Sequence, residues 1–498
     1  MSSKTLLLLA AMLMSALPAY AWHSPSTPPD WRSPSAPQDD RVFPVGDSGP
    51  FEATPLTKLL QEGVDRKGAV YRYEVPYNWN GDLVMYAHGF RGCFADPAGT
   101  TLVPLTVDNP PLREYYLARG YAWAASSYSK NCYDVKSGVE STNRLARIFA
   151  KEVEKPNRTL ITGFSMGGHV TGAAIEMFPN VQCPDGRRGR LCRRFVYVLG
   201  KLSGGVRYDG AAPRCGVMGD VEQFNFLGDF ATGAGALAAA VNPLVQQQFP
   251  PPVDYLVNSL PLIIGTLFSN SGQDFPFGLT PQGEKLKDLT RQRSGGERPI
   301  FDQAFPLWQN LLFGFAGSDG TLDGVLAGNI YDNKRRVYQF DGDPVLTADE
   351  QQLNESIIRV RKDRGVNRKK FLKLQRVPEI SGRLSIPVIS VHTLGDLFVP
   401  FSMEQIYAKE VARHGRSDLL VSRATRAIGH CEFSAEELMR TFNDLVLWVD
   451  EGVRPAGDNV TDPEQVANPF FGCQFTEGGL GLNGTPEALR GDVCSLAP

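Results

Sequence analysis

The sequence predicts an α/β protein: a mostly parallel sheet flanked by helices, interrupted by a large inserted cap. Three observations predict this. Strand-like and helix-like stretches alternate through residues 81–205. One of those strands, at 159–164, runs through Gly163-Phe164-Ser165-Met166-Gly167 straight into a helix-compatible stretch at 170–178. The alternation then stops near residue 206 and resumes near 385. Such alternation argues for parallel strands joined by helices that cover both faces of the sheet.

Each element follows from its local pattern. Residues 83–87 form a buried-strand run that ends in His88-Gly89-Phe90. A short helix at 111–119 is stopped by Gly120, a second strand occupies 121–128, and 139–153 places apolar residues at helical spacing. After the 159–178 unit comes another strand, 195–199. The block 206–384 carries Gly- and Ala-rich stretches, Phe249-Pro250-Pro251-Pro252 and a long apolar segment at 253–268. A structureless loop of that length is not credible in a compact domain, so 206–384 reads as a cap inserted into a core made of 51–205 and 385–452. The basic run at 361–373 reads as a solvated helix face. The core resumes with strands at 387–392 and 419–422 and an amphipathic helix at 434–449. Residues 453–498 form a Gly/Pro-rich tail held to the surface by its two cysteines.

The ends and the composition bound the function. Lys4, an apolar run at 6–17 and Ala19-Tyr20-Ala21 give residues 1–21 the pattern of a secretory signal, followed by a Pro/Ser-rich leader at 22–50. The expected location is secreted or periplasmic. No later stretch reaches about 18 apolar residues, so no membrane span is expected. A formal charge of -3 gives no polyelectrolyte character, which argues against a nucleic-acid partner. Eight cysteines in an exported chain read as disulfides, and none has the C-x-x-C spacing of a zinc site. The expected pairs are Cys183–Cys192 across a short loop and Cys473–Cys494 in the tail. Cys93 and Cys132 follow successive strands and could meet.

The chemistry is concentrated around Ser165. A serine on a sharp strand-to-helix turn needs glycine at both flanks, because the turn is strained and a side chain there would crowd the crossing of strand and helix. G-x-S-x-G alone occurs by chance in roughly one chain in four of this glycine content, so its context decides. A serine hydroxyl also needs a base and a carboxylate to orient that base. Asp396 follows the 387–392 strand, and His430 follows the 419–422 strand and precedes the last helix.

The order Ser, acid, His, each just after a strand, resembles the α/β-hydrolase superfamily over 81–205 and 385–452. The resemblance implies Ser165 as nucleophile, His430 as general base and acid, and Asp396 as the orienting acid. It also implies an oxyanion hole from the backbone N–H groups of Phe90 and Met166, with no cofactor and no metal. Gly429-His430-Cys431-Glu432-Phe433 further resembles secreted esterases of the tannase and feruloyl esterase kind, in which a disulfide joins neighbours of the catalytic Ser and His. Here Phe164 precedes Ser165, so that disulfide is not expected.

Rivals for each role can be ranked. His88 is expected to pack behind the oxyanion loop, His169 on the helix after the elbow, and His392 within a strand. His414 is the realistic competitor for the base. Asp209 competes for the acid, whereas Asp319 and Asp323 read as ordinary turn carboxylates. Ten cap phenylalanines (Phe224, Phe226, Phe230, Phe268, Phe275, Phe277, Phe301, Phe305, Phe313 and Phe315) could line an acyl pocket, although most are expected in the cap's own core. The expected activity is hydrolysis of a small or polymeric carboxylic ester through an acyl-enzyme. An amidase or peptidase with the same triad is the alternative, and a non-catalytic binding protein on this scaffold is a remote one.

Overall fold

The structure is a computed structural model and describes residues 40–96, 99–177, 206–269, 278–368, 374–477, 490 and 494–496. The signal at 1–21, most of the 22–50 leader, the strand expected at 195–199, Cys183–Cys192, Phe275 and Phe277 lie outside the described residues.

Eight strands build one sheet: β1 (Thr57–Val64), β2 (Val70–Pro76), β3 (Leu83–Ala87), β4 (Ala122–Ser126), β5 (Thr159–Phe164), β6 (Gly210–Arg214), β7 (Val388–Thr393) and β8 (Leu420–Thr425). Their spatial order is β1-β2-β4-β3-β5-β6-β7-β8. Pairing is parallel from β4 through β8, and only the β1–β2 and β2–β4 pairs are antiparallel. Strands β2 to β8 are buried along their whole length. That requires cover on both faces, and the helices supply it.

The helices are α1 (Arg113–Ala118), α2 (Val135–Glu152), α3 (Met166–Met177), α4 (Glu222–Ala239), α5 (Leu260–Leu267), α6 (Pro281–Arg293), α7 (Phe301–Phe315), α8 (Ala348–Ser356), α9 (Ser402–Arg413) and α10 (Ala435–Glu451); α1, α2, α3, α9 and α10 pack on the sheet, whereas α4 to α8 pack together in the cap. Helix α2 starts four residues earlier than its apolar spacing indicated, because the Asp134 carboxylate caps the Ser137 N–H. At α10, Ser434 and Glu437 form a reciprocal capping box and Gly452 closes the end in the left-handed conformation.

Two expectations need correction. The sixth strand, Gly210–Arg214, lies in the block assigned to the cap, so the insertion begins after β6 rather than at 206. The described part of the basic run, 361–368, is loop and not helix. There the Asp363 carboxylate accepts the Asn329 N–H at 2.8 Å and ties the loop to the cap.

The cap has its own core. Phe226, Phe230, Phe268, Phe301, Phe305 and Phe313 are all buried within it, together with Trp308 and Leu312. It is not a detached lid, because Leu394, Leu397, Phe401 and Ile428 of the core segments belong to the same cluster.

The crossing of β5 and α3 is the tightest point of the sheet. A Cβ on Gly167 would lie 2.1 Å from the Ala87 carbonyl oxygen, and one on Gly163 2.2 Å from the Gly167 oxygen. Backbone atoms cannot move aside as a flexible side chain can. Gly167→Ala is therefore expected to lower stability by about 2–4 kcal/mol. Urea unfolding of the variant checks it, and a loss under about 0.5 kcal/mol would show that the crossing relaxes.

Candidate active site

Because β5, β6, β7 and β8 run parallel, their carboxyl ends share one edge, and Ser165, Asp396 and His430 follow the ends of β5, β7 and β8 there. Ser165 follows β5 directly at φ 58°, the left-handed region that a non-glycine residue enters at a cost. The turn is fixed on both sides. Ser165 N–H donates to the Arg214 carbonyl of β6 at 3.0 Å, and the Ser165 carbonyl accepts the Gly168 N–H of α3 at 2.8 Å. Met166 opens α3, where backbone N–H groups have no partner within the helix. The loop after β3 is packed onto this turn: the bare Gly89 Cα presents its Cβ direction 3.4 Å from Ser165 Cβ and 3.9 Å from its Oγ.

Asp396 lies three residues beyond β7 and is fully buried. Its Oδ1 accepts the N–H groups of Phe398 and Val399, each at 2.9 Å. Its Oδ2 accepts from His430 Nδ1 at 2.5 Å, a short charge-assisted contact. A donated Nδ1 leaves Nε2 as the basic nitrogen of the ring. Thr393 Oγ1 donates to the Gly429 carbonyl at 2.8 Å, so the end of β7 holds the loop that carries His430. Phe398 packs edge-on against the imidazole with ring centres 5.1 Å apart.

The strand order and this elbow decide the architecture. This is the α/β-hydrolase fold. No family model matches the chain. It is 26% identical over 87 residues to an o-phthalyl amidase of Xanthobacter agilis, a match that spans 18% of either protein. Similar solved structures include feruloyl esterase B from Aspergillus oryzae at 14% identity, covering 83% of this chain and 86% of that one with a TM-score of 0.40. The rice cell wall degrading esterase LipA from Xanthomonas oryzae is 13% identical, covers 78% and 87%, and has a TM-score of 0.32.

The rival residues are placed elsewhere or already committed. His414 caps the end of α9 with Nδ1 on the Glu410 carbonyl. His88 stacks on Tyr128 and bonds the Gly89 carbonyl, and burial pulls its pKa down to about 4. His169 lies between Tyr133 and the Pro378 carbonyl and is likewise lowered to about 4 by burial. Asp209 precedes β6 rather than following a strand, and its carboxylate accepts the Thr159 N–H at the amino end of β5, away from Ser165. Asp319 caps its own turn through Thr321, as expected.

A disulfide crosses the site. Cys431, the residue after His430, is bonded to Cys215, the residue after β6, with Cα atoms 5.2 Å apart. The Ser165 N–H donates to the carbonyl of Arg214, the neighbour of Cys215, so the bond ties the His430 loop to the strand end beside Ser165. The link through position 164 does not form, as Phe164 requires; the partner of Cys431 comes from the end of the adjacent strand instead. Cys215, His430 and Cys431 present ligand-type atoms within 4.8 Å of one another, but the two sulfurs are spent in the disulfide and offer no thiolate. Cys93–Cys132 and Cys473–Cys494 form as expected.

Two cap side chains hold the loops that carry Asp396 and His430, and sequence reasoning missed both. Arg298 is buried and donates from Nε to the Leu394 carbonyl at 2.7 Å, two residues before Asp396. Trp308 donates from Nε1 to the Ile428 carbonyl at 2.9 Å, two residues before His430. Burial pulls the Arg298 guanidinium down to about 9, against the opposing attraction of Asp396. Arg298→Met is expected to lower kcat by about tenfold or more and to destabilise the chain, because three backbone and hydroxyl acceptors lose their donor. Steady-state kinetics and a thermal melt check both.

Behind Asp396, His392 donates from Nε2 to the Val399 carbonyl at 2.8 Å, and its Nδ1 lies 4.0 Å from Glu404. Glu404 is fully buried, accepts from Ser390, and burial pushes its carboxyl up to about 7. A carboxyl raised on folding stabilises the native state below its unfolded value, and that stability is lost as pH rises from about 4.5 through about 7. Glu404→Gln should therefore gain stability relative to the native protein between pH 5 and pH 8, by about 1–3 kcal/mol. Urea midpoints at the two pH values measure it, and equal shifts at both would refute the ionisation.

Ser165 opens onto a cavity of about 860 Å³, its mouth included, between the sheet edge and the cap. Phe224 and Phe315 of the expected phenylalanines line it, joined by Phe90, Phe249 and Phe398. The six described others are cap core, as most were expected to be. Among the described residues no helix is long and apolar enough to cross a membrane.

Proposed function

We propose that the chain is an exported serine hydrolase that cleaves a carboxylic ester through an acyl-enzyme. The observation that carries the reading is the short His430–Asp396 bond on the strand-end edge that also holds a left-handed, strand-to-helix serine. Ser165 Oγ attacks the ester carbonyl carbon while His430 Nε2 takes its proton. Asp396 holds the ring and stabilises the imidazolium. The carbonyl oxygen, now an anion, is received by the N–H groups of Met166 and Phe90. Collapse expels the alcohol, which takes the proton back from His430. Water then attacks the acyl-enzyme by the same steps and releases the acid. Eight cysteines with three described disulfides support an oxidising compartment.

The similarity to an o-phthalyl amidase favours amide cleavage as the second reading. The test is a p-nitrophenyl ester against the p-nitroanilide of the same acid, with fluorophosphonate labelling of the nucleophile. Ester turnover with labelled Ser165 supports the first reading, and anilide turnover alone transfers it to the second. A protein that neither labels nor turns over either compound is no serine hydrolase.

A further inference from the structure

We propose that Asp323 is the specificity-determining acceptor of the substrate cavity, selecting esters whose acyl or alcohol part ends in a hydroxyl or ammonium donor. The inference rests on Ser165 as nucleophile and goes beyond it by naming what the rest of the cavity recognises.

Asp323 lines the same cavity as Ser165, among Phe90, Phe224, Leu227, Phe249 and Phe398. The other polar side chains of that wall are engaged, apart from one oxygen of Gln223. Tyr133 bonds His169 Nδ1 at 3.1 Å, and Tyr331 bonds Thr232 and Asp229 at 2.9 and 3.1 Å. Ser318 accepts the Gly320 N–H at 3.2 Å. Gln223 donates to the Phe398 carbonyl at 2.6 Å, and its Oε1, although buried, meets no donor among the described residues. Among the described residues the Asp323 carboxylate accepts from no nitrogen or hydroxyl: the positive charge acting on it is the Arg41 guanidinium, which is bonded to the Asp323 carbonyl, and its own contact is Cys93 Sγ at 3.6 Å. That sulfur belongs to the Cys93–Cys132 disulfide and has no hydrogen to give.

The position is constructed, not incidental. Leu322 and Asp323 are both held at φ 54°, and Arg41 donates to the Asp323 carbonyl at 2.9 Å. The turn's own hydrogen bonds are made by Asp319 and Thr321, so Asp323 is not the turn carboxylate its sequence position indicated. A carboxyl without a donor in an apolar wall is costly, and that cost is recovered when a bound group supplies the proton or the positive charge. Burial, partly offset by the Arg41 charge, holds the group up at about 6, in keeping with a site that receives a donor. A substrate anion at this end would be repelled.

The experiment uses two series of aryl esters, one varying the acyl ring and one the leaving phenol, each with a methyl, hydroxyl or aminomethyl substituent. Acid release gives kcat/KM for the native chain and for Asp323→Asn, a residue that tolerates the left-handed backbone. A thermal melt and fluorophosphonate labelling report folding and the nucleophile separately. In the native chain at least one donor-bearing ester should exceed its methyl counterpart by about tenfold or more. Asp323→Asn should erase the preference for ammonium and reduce that for hydroxyl, since the amide oxygen still accepts. A native preference near one, or one that survives the substitution in a folded, labelled variant, overturns the inference and leaves the triad standing. No labelling and no turnover in either series overturns both.

Discussion

Ser165→Ala and His430→Ala should each lower kcat by about 10⁴-fold or more, and the double variant should be no worse than the more impaired single one. The three side chains act as one unit, so removing the second member of a disabled triad has little left to remove. Residual turnover would come from the cavity and the two backbone donors. Neither substitution should cost more than about 1 kcal/mol of stability, since Ser165 sits in a strained conformation and His430 is on a loop. Single-turnover kinetics on an activated ester, with thermal melts, measure both. Near-native activity in the His430 variant would remove it from the base role.

The second large effect concerns the disulfide between Cys215 and Cys431. Its ends are 216 residues apart, and the intervening chain holds the whole cap, β7 and β8. Replacing both cysteines with alanine should lower stability by about 3–5 kcal/mol. It should also reduce kcat by about tenfold to a hundredfold, because the loop carrying His430 is no longer tied beside the nucleophile. Denaturation midpoints and kcat on the same preparation separate the effects. Lost stability at unchanged kcat would reduce the bond to a staple. Unchanged stability would mean that the sheet alone positions the loop.

What the sequence disclosed follows its local physics. Strand β3 and the elbow strand were legible because each is a short apolar run leading into glycine, and α10 because its apolar residues recur at helical spacing. Ser165, Asp396 and His430 are the residues that chain order and strand ends single out jointly, and the structure places each just after its strand. Strand β6 was not: Gly210-Ala211-Ala212-Pro213-Arg214 has no β-branched residue and carries a proline, which argues against a central strand. It is held by its neighbours, pairing fully with β5 and at only two positions with β7. The partner of Cys431 was hidden for the same reason, since it lies at the end of that unseen strand. Asp323 looked like its neighbour Asp319 because both flank glycine turns, and only the folded cavity separates the carboxylate that closes a turn from the one left facing the aromatic wall.

The two hydrogen bonds from Arg298 and Trp308 change how the cap should be regarded. A cap that only roofs the cavity could be exchanged between related enzymes as a cassette, with specificity travelling alone. Here the insertion also grips the carbonyls two residues upstream of the acid and the base. Any chimera that swaps residues beyond β6 without matching those two donors would inherit a new pocket and a misaligned triad together. On the proposed triad, turnover and selectivity are mechanically geared, and directed evolution of one is expected to move the other.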